Sequence, residues 1–216
     1  MLMVRLTRIA LWSLVVIALI LIGILVRSLF LDGDGDSVAV FGNGPIVGEP
    51  ALGAAAVTIG EPFALVTDAG APIGDDDLDG HPSLMFFGFT FCPDVCPTAL
   101  AEVSGWLAEL GNEAEDLAVY FVTVDPARDQ PAEMATYLTA FDPRIVGITG
   151  PVDDVHAMLD GYRVFYERYE TDNGYLMDHA ASFYMLDRNG EFVGTIGYNE
   201  LRDEALRQIR RLIAGG

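Results

Sequence analysis

Leu84 to Phe89 reads LMFFGF, an apolar run without a single polar side chain. That pattern is expected of a strand buried on both faces of a sheet. Gly88 and the Thr90–Pro93 segment are expected to break it. From about Thr98 apolar residues recur at helical spacing, at Leu100, Val103, Leu107 and Leu110. Pro97 suits the first turn of that helix, where a missing N–H costs little. Between strand and helix stand Cys92 and Cys96, the only two cysteines in the chain. They are expected on a strand-to-helix turn, at the carboxyl edge where ligands collect in open α/β sheets. A helix N-terminus also favours thiolate over thiol.

The segments that follow predict an α/β domain. Leu117–Val124 is a second buried strand, ended by Asp125-Pro126. Asp129 is a candidate cap for a helix over about Ala132–Phe141, which Asp142-Pro143 stops. Ile145–Ile148 reads as a short strand, Val152–Tyr162 as a helix and Val164–Tyr169 as a strand. Asn173-Gly174 is a turn signal. Ser182–Leu186 and Phe192–Ile196 flank a hairpin turn at Asp187–Gly190, and Glu200–Ile213 closes the chain as an amphipathic helix. Before the first buried strand, Phe63–Val66 reads as a strand, Asp68-Ala69-Gly70 as a turn and Asp75–Asp79 as an acidic loop. The order βαβαβα, then ββα, implies a central mixed sheet flanked by helices on both faces.

The N-terminus is of another kind. Ile9 to Val26 carries no charge and is flanked by Arg5, Arg8 and Arg27. A run of about eighteen such residues spans a bilayer. Val26-Arg27-Ser28-Leu29-Phe30 offers no small-residue cleavage site, so an uncleaved anchor over residues 1–31 is expected. No cysteine lies nearby to serve a lipoprotein. The arginines before the run outweigh those after it, which places the N-terminus inside and the rest of the chain outside. In a bacterium this is an inner-membrane protein with its soluble domain in the periplasm, where disulfides can form. Residues 32–56, rich in Gly, Ala, Asp and Pro, read as a flexible tether, and residues 57–216 as the folded domain. The chain has no lysine, and beyond Leu31 nine arginines face all 32 acidic residues. Such a surface repels phosphate backbones and argues against nucleic acid as a partner.

Three uses of the cysteines compete. A structural disulfide would close a very small loop and add little stability. A reductase needs a depressed thiol pKa; the helix terminus helps, while Asp94 opposes it by like-charge repulsion. A metal would reverse that penalty but needs a third ligand. Of the three histidines, His156 reads as a solvated helix position and His81 as a surface turn. His179 directly precedes Ser182–Leu186; if that strand lies beside Leu84–Phe89, its leading loop faces the cysteine turn. Two thiolates and one imidazole suit Cu(I) in trigonal geometry, whereas zinc prefers four ligands. Asp178 is a candidate to orient the His179 ring from outside the ligand set.

Gly88–Pro97 resembles the active segment of the Sco/SenC family, membrane-tethered, thioredoxin-like proteins that help assemble cytochrome c oxidase. The resemblance extends through Val122–Asp129, Asp178-His179 and Asp187–Gly190, and covers roughly Ile59 to Ile213. It implies a thioredoxin-like fold and copper, Cu(I) or Cu(II), bound by Cys92, Cys96 and His179. It also implies delivery to the dinuclear copper centre, with the oxidase's copper-centre subunit as partner; a monomeric soluble domain is expected. Asp125 matches a family position, and capping or loop bonding is its plain role. Phe91 stands where relatives often carry a polar residue or His, and His81 where Lys is common.

Two other functions fit the same residues. Some Sco-like proteins are proposed to reduce the oxidase's cysteines, and Cys92 and Cys96 would then be catalytic. Thioredoxin reductants, however, place two residues between their cysteines and a proline before the facing strand. Here there are three, and Ala180-Ala181 occupies the proline position, which favours metal. A peroxidase would set Thr and Arg around one cysteine, and fits less well. A copper or redox sensor would use the same three residues without delivery.

Overall fold

The computed structural model describes residues 59–172 and 174–215. The expected anchor and the whole expected tether, like Asn173 of the expected turn, lie outside these residues. Among the described residues no helix is long and apolar enough to cross a membrane.

The first buried run forms β3, Ser83–Gly88, in which every residue is buried. It lies between β4 (Ala118–Thr123), which runs parallel to it, and β8 (Ser182–Leu186), which runs antiparallel. The expected proximity of Leu84–Phe89 and Ser182–Leu186 is therefore direct pairing, with Phe86 opposite Phe121 on one side and Phe183 on the other. The other strands are β1 (Ala64–Thr67), β2 (Pro72–Gly74), β5 (Ile145–Thr149) and β9 (Phe192–Gly197). They complete a seven-stranded sheet in the order β2-β1-β5-β4-β3-β8-β9. The three central strands β5, β4 and β3 are parallel and the outer pairs antiparallel. Four helices follow the expected alternation: α1 (Val95–Leu110), α2 (Pro131–Leu138), α3 (Val152–Gly161) and α4 (Arg202–Ile213). This is a thioredoxin-like mixed sheet with helices.

The periodic residues do what their spacing requires. Leu100, Val103, Leu107 and Leu110 are all buried along α1, with Trp106 beside them. Trp106 meets Phe183 at 5.1 Å between ring centroids, and Phe183 meets Phe86 at 4.8 Å. Burying each such side chain contributes about 1.5–3 kcal/mol. The β1–β2 turn bends over Asp68-Ala69-Gly70, where Gly70 takes a φ of +76° that a side chain would resist.

Four local expectations are corrected. Gly88 does not break its strand; it pairs with Thr123 as the last residue of β3. The acidic stretch is not a loop: Asp75–Leu78 forms a 3₁₀ turn, with Asp77 accepting the Gly74 N–H at 2.8 Å. Asp129 does not cap α2. Gln130 takes the cap position and Pro131 opens the helix, while Asp129 is drawn inside and fully buried. The helix stops at Leu138, three residues short of the expected end.

The largest difference lies before β8. The expected strand Val164–Tyr169 is shifted to β6, Tyr166–Thr171. It pairs with a strand the pattern did not reveal, β7, Gly174–His179, in a separate two-stranded ribbon. His179 is therefore the last residue of a strand and not part of a loop. The ribbon is mostly exposed or half-buried, so its sequence lacks the apolar run that marks the central strands.

Candidate metal centre

The site begins where β3 ends. Phe89 is buried, and the chain then turns tightly, with the Cys92 N–H donating to the Phe89 carbonyl at 3.2 Å. Asp94 occupies the cap position of α1 and Cys96 lies in its first turn. The Cys96 N–H donates to Cys92 Sγ at 3.4 Å. Both cysteines are free thiols, Cys92 half-buried and Cys96 fully buried.

The ribbon brings His179 to them. Its Nε2 lies 3.3 Å from Cys96 Sγ. Its Nδ1 is 3.0 Å from the Ala180 carbonyl oxygen, which can only accept, so Nδ1 carries the proton and Nε2 the lone pair. One donor atom from each of Cys92, Cys96 and His179 lies within 4.8 Å of the other two. Donors bound to one ion at about 2.0–2.3 Å sit up to roughly 4.6 Å apart, so the constellation is close to closed already. Phe86 and Phe89 stand edge-on to the imidazole, with centroids at 6.1 and 5.8 Å, and pack against its buried side.

Gly88 makes this approach possible. A Cβ there would fall 2.8 Å from Cys96 Sγ and 2.8 Å from the Phe121 ring. The glycine is required by close contact with the buried sulfur, a role its place in an apolar run does not disclose.

The two thiols are driven apart in acidity. A hydrogen bond from the Cys96 thiol is the main cause that lowers Cys92 to about 3; the neighbouring His179 side chain and the backbone N–H groups of Cys96 and Asp94 add to it, against the opposing effect of burial. Cys96 is pushed up, first by holding its proton toward Cys92, then by burial and the Cys92 charge. The pair thus shares one proton, a thiolate at Cys92 and a thiol at Cys96. The expected repulsion from Asp94 is not what acts: its side chain is exposed, and its backbone N–H favours the thiolate.

Asp178 does not orient the imidazole. Adjacent residues of a strand point to opposite faces; Asp178 is exposed, and the Ala180 carbonyl fixes the ring instead. His81 lies at the other end of β3 and contacts the Tyr120 hydroxyl at 3.2 Å. His156 stacks on Tyr166 with centroids 5.0 Å apart. Neither joins the cysteines.

Two supporting acids act through partners the sequence did not indicate. The buried Asp129 carboxylate accepts the Thr90 N–H at 3.0 Å, the Thr90 hydroxyl at 2.6 Å and the Thr123 hydroxyl at 2.7 Å. It ties the start of the cysteine turn to the end of β4. Asp125, also buried, accepts from Arg128 and from the Tyr175 hydroxyl, and its N–H donates to Thr123 Oγ1 at 2.8 Å. Of the two roles expected of it, capping and loop bonding, these contacts are loop bonding. Val122–Asp129 carries both acids, but their partners on the cysteine turn and the ribbon are distant in sequence.

Comparison with known proteins places the domain in a family. Residues 53–214 match the family model described as SCO1/SenC. The SCO2-like protein of Rickettsia prowazekii is 36% identical over 152 residues, covering 69% of this chain and 74% of its own length. The protein sco1 of Schizosaccharomyces pombe is 37% identical over 169 residues, covering 76% of this chain and 61% of its own. The structure of Bradyrhizobium japonicum ScoI with copper bound superposes with a TM-score of 0.67 at 41% identity, covering 71% of this chain and 99% of that one. With the family model covering nearly the whole described domain, the chain belongs to the SCO1/SenC family.

Proposed function

We propose that this protein binds one copper ion through Cys92, Cys96 and His179 and delivers it to the copper-centre subunit of a cytochrome c oxidase. The observation that carries this reading is the convergence of the chain's only two cysteines with His179 Nε2. Two sulfurs and one imidazole form a soft, three-donor set that suits Cu(I), and no fourth donor among the described residues completes a zinc site. Copper bound in the similar ScoI structure supports the metal, and family membership supports the oxidase as destination. Copper is the cargo. Cys92 meets it as a thiolate; Cys96 must release its proton as the ion enters; His179 offers a lone pair already aimed at the sulfurs. In this reading residues 1–31 anchor the chain in the inner membrane and 32–56 tether the domain in the periplasm.

The test is metal content and thiol count of the purified protein after Cu(I) loading. About one copper per chain with both thiols protected from alkylation is expected. Absence of bound copper sinks the reading.

The acidity of Cys92 favours a second reading, thiol–disulfide exchange. The Cys92 thiolate would attack a substrate disulfide, forming a mixed disulfide and releasing one substrate thiolate. Cys96 would then displace the second, leaving a Cys92–Cys96 disulfide and a substrate reduced by two electrons. An external dithiol must restore the thiols. His179→Ala separates the two readings: exchange proceeds without metal and depends on both cysteines, whereas copper retention depends on His179 as well.

A further inference from the structure

Among the described residues the ribbon that holds His179 pairs with no strand of the main sheet; Ala180-Ala181 joins its His179 end to β8, and side chains from Asp125 and Arg128 reach its other end. Tyr175 lies four residues before His179 on β7, and thus on the same face. Its hydroxyl donates to Asp125 Oδ1 at 2.9 Å, and its carbonyl accepts Arg128 Nη1 at 3.1 Å. The Arg128 guanidinium lies over the Tyr175 ring with Cζ 3.7 Å from the centroid. Arg168 lies 3.8 Å from the same centroid; two guanidinium groups so close can only occupy opposite faces. Arg128 is also ion-paired with Asp125 and lies over Phe91, the neighbour of Cys92, at 4.6 Å.

This cluster is unlike the ion pairs elsewhere on the domain. Exposed pairs contribute little, but Asp125 is 4% exposed and Arg128 23%. Arg128 Nη2 is buried with no hydrogen-bond partner, so the guanidinium is placed for stacking at the expense of a bond. Asp125 is itself held to Thr123 at the end of β4. A continuous path therefore runs from the rigid sheet through Asp125 and Tyr175 to the strand bearing His179, and from Arg128 through Phe91 to Cys92.

We propose that Asp125, Arg128 and Tyr175 are positioning residues, a clamp that seats the ribbon so that His179 faces the two sulfurs before metal arrives. This rests on the copper reading above. Holding ligands in their bound geometry raises affinity because less order must be imposed on binding. Ligand-orienting partners of this kind are worth about 10–100-fold in metal affinity.

The test is a double-mutant cycle in the full-length chain in detergent. Tyr175→Ala and Tyr175→Phe are made in the wild-type and His179→Ala backgrounds. Three quantities are measured: Cu(I) affinity by chelator competition, the Cu(II) absorption spectrum, and hydrogen exchange of the Tyr175–His179 amides in metal-free protein. Tyr175→Ala should weaken Cu(I) binding about tenfold, move the Cu(II) spectrum toward that of His179→Ala, and speed exchange of the ribbon amides. Tyr175→Phe, which keeps the stack and loses the hydroxyl bond, should fall between. In the His179→Ala background Tyr175→Ala should cost less than about twofold, because the residue it positions is gone. Equal losses in both backgrounds would show a general structural role and overturn the clamp. So would wild-type affinity and spectrum in Tyr175→Ala while His179→Ala loses both, an outcome that leaves the copper reading standing. Wild-type affinity in His179→Ala would instead remove the copper reading, and the clamp with it. If Tyr175→Ala does not fold, Arg128→Lys replaces it in the same cycle, since an ammonium keeps the charge but cannot cover the ring.

Discussion

Cys96 Sγ and His179 Nε2 lie 3.3 Å apart although 83 residues separate them in the chain. The contact joins the first turn of α1 to the end of a ribbon outside the main sheet. It closes a three-donor cluster whose members come from two independent pieces of structure, and each piece can be tested separately.

The ligands should act as a unit. Cys92→Ser and Cys96→Ser are each expected to abolish tight Cu(I) binding, because an incomplete soft donor set does not hold the ion. His179→Ala should weaken binding and alter the Cu(II) spectrum while the thiolates remain. His81→Ala and His156→Ala should keep about one equivalent. Unchanged affinity and spectrum in His179→Ala would show that the nitrogen ligand is misassigned.

Cys92 should be the reactive thiol of the metal-free protein. Its pKa of about 3 leaves it ionised throughout the range where an ordinary cysteine, near 8.5, is still mostly protonated. Alkylation with iodoacetamide should give one adduct, at Cys92, at a rate nearly flat from about pH 5 to 8. A rate climbing tenfold per pH unit, or an adduct first at Cys96, would contradict the assigned proton distribution.

Asp129 should stabilise the cysteine turn through its hydrogen bonds. Asp129→Ala leaves the Thr90 N–H and two hydroxyls without their acceptor and should cost about 1–3 kcal/mol in urea unfolding. Asp129→Asn should cost less, since the amide retains an acceptor. Burial is the leading cause that raises the Asp129 pKa. A raised folded-state pKa contributes stability below the unfolded value, and that contribution is lost as pH rises through the folded one. Asparagine does not titrate, so the variant should gain on the wild type as pH rises above about 4, the ordinary carboxylate range. A stability difference independent of pH would contradict this.

Gly88→Ala should disturb the site from beneath. Its new methyl would crowd Cys96 Sγ and the Phe121 ring, at a cost of about 1–3 kcal/mol and with weakened copper binding. Gly105→Ala is the comparison. In the interior of α1, a Cβ there meets only the flexible end of Arg202, and the change should stabilise by about 0.5–1 kcal/mol. Equal thermal shifts in the two variants would remove the special place given to Gly88.

The anchor is tested by topology. An alkaline phosphatase reporter fused after Gly216 should be active, and the chain should keep its first thirty residues in the membrane fraction. A mature chain beginning near Leu31, or a reporter active only in the cytoplasm, would overturn the periplasmic placement.

By itself the sequence determined the central strands, the four helices of the described residues and the turn carrying Cys92 and Cys96. These are local or periodic features. Apolar runs mark strands buried on both faces, spacing of three and four marks α1, and the two cysteines meet within a single turn of chain. Tertiary structure alone decided the rest. The ribbon β6–β7 has no buried face to write a period into its residues, so the sequence marks β6 only roughly and β7 not at all, and points to a loop at His179. Asp129 has the chemistry of a helix cap, yet Thr90 and Thr123, brought close only by β3–β4 pairing, outcompete the helix for its carboxylate. Asp178 sits beside the imidazole in sequence but on the other face of the strand, and a backbone carbonyl does the orienting instead. Polar side chains take the partners that packing delivers to them, and which partners arrive is a property of the folded chain.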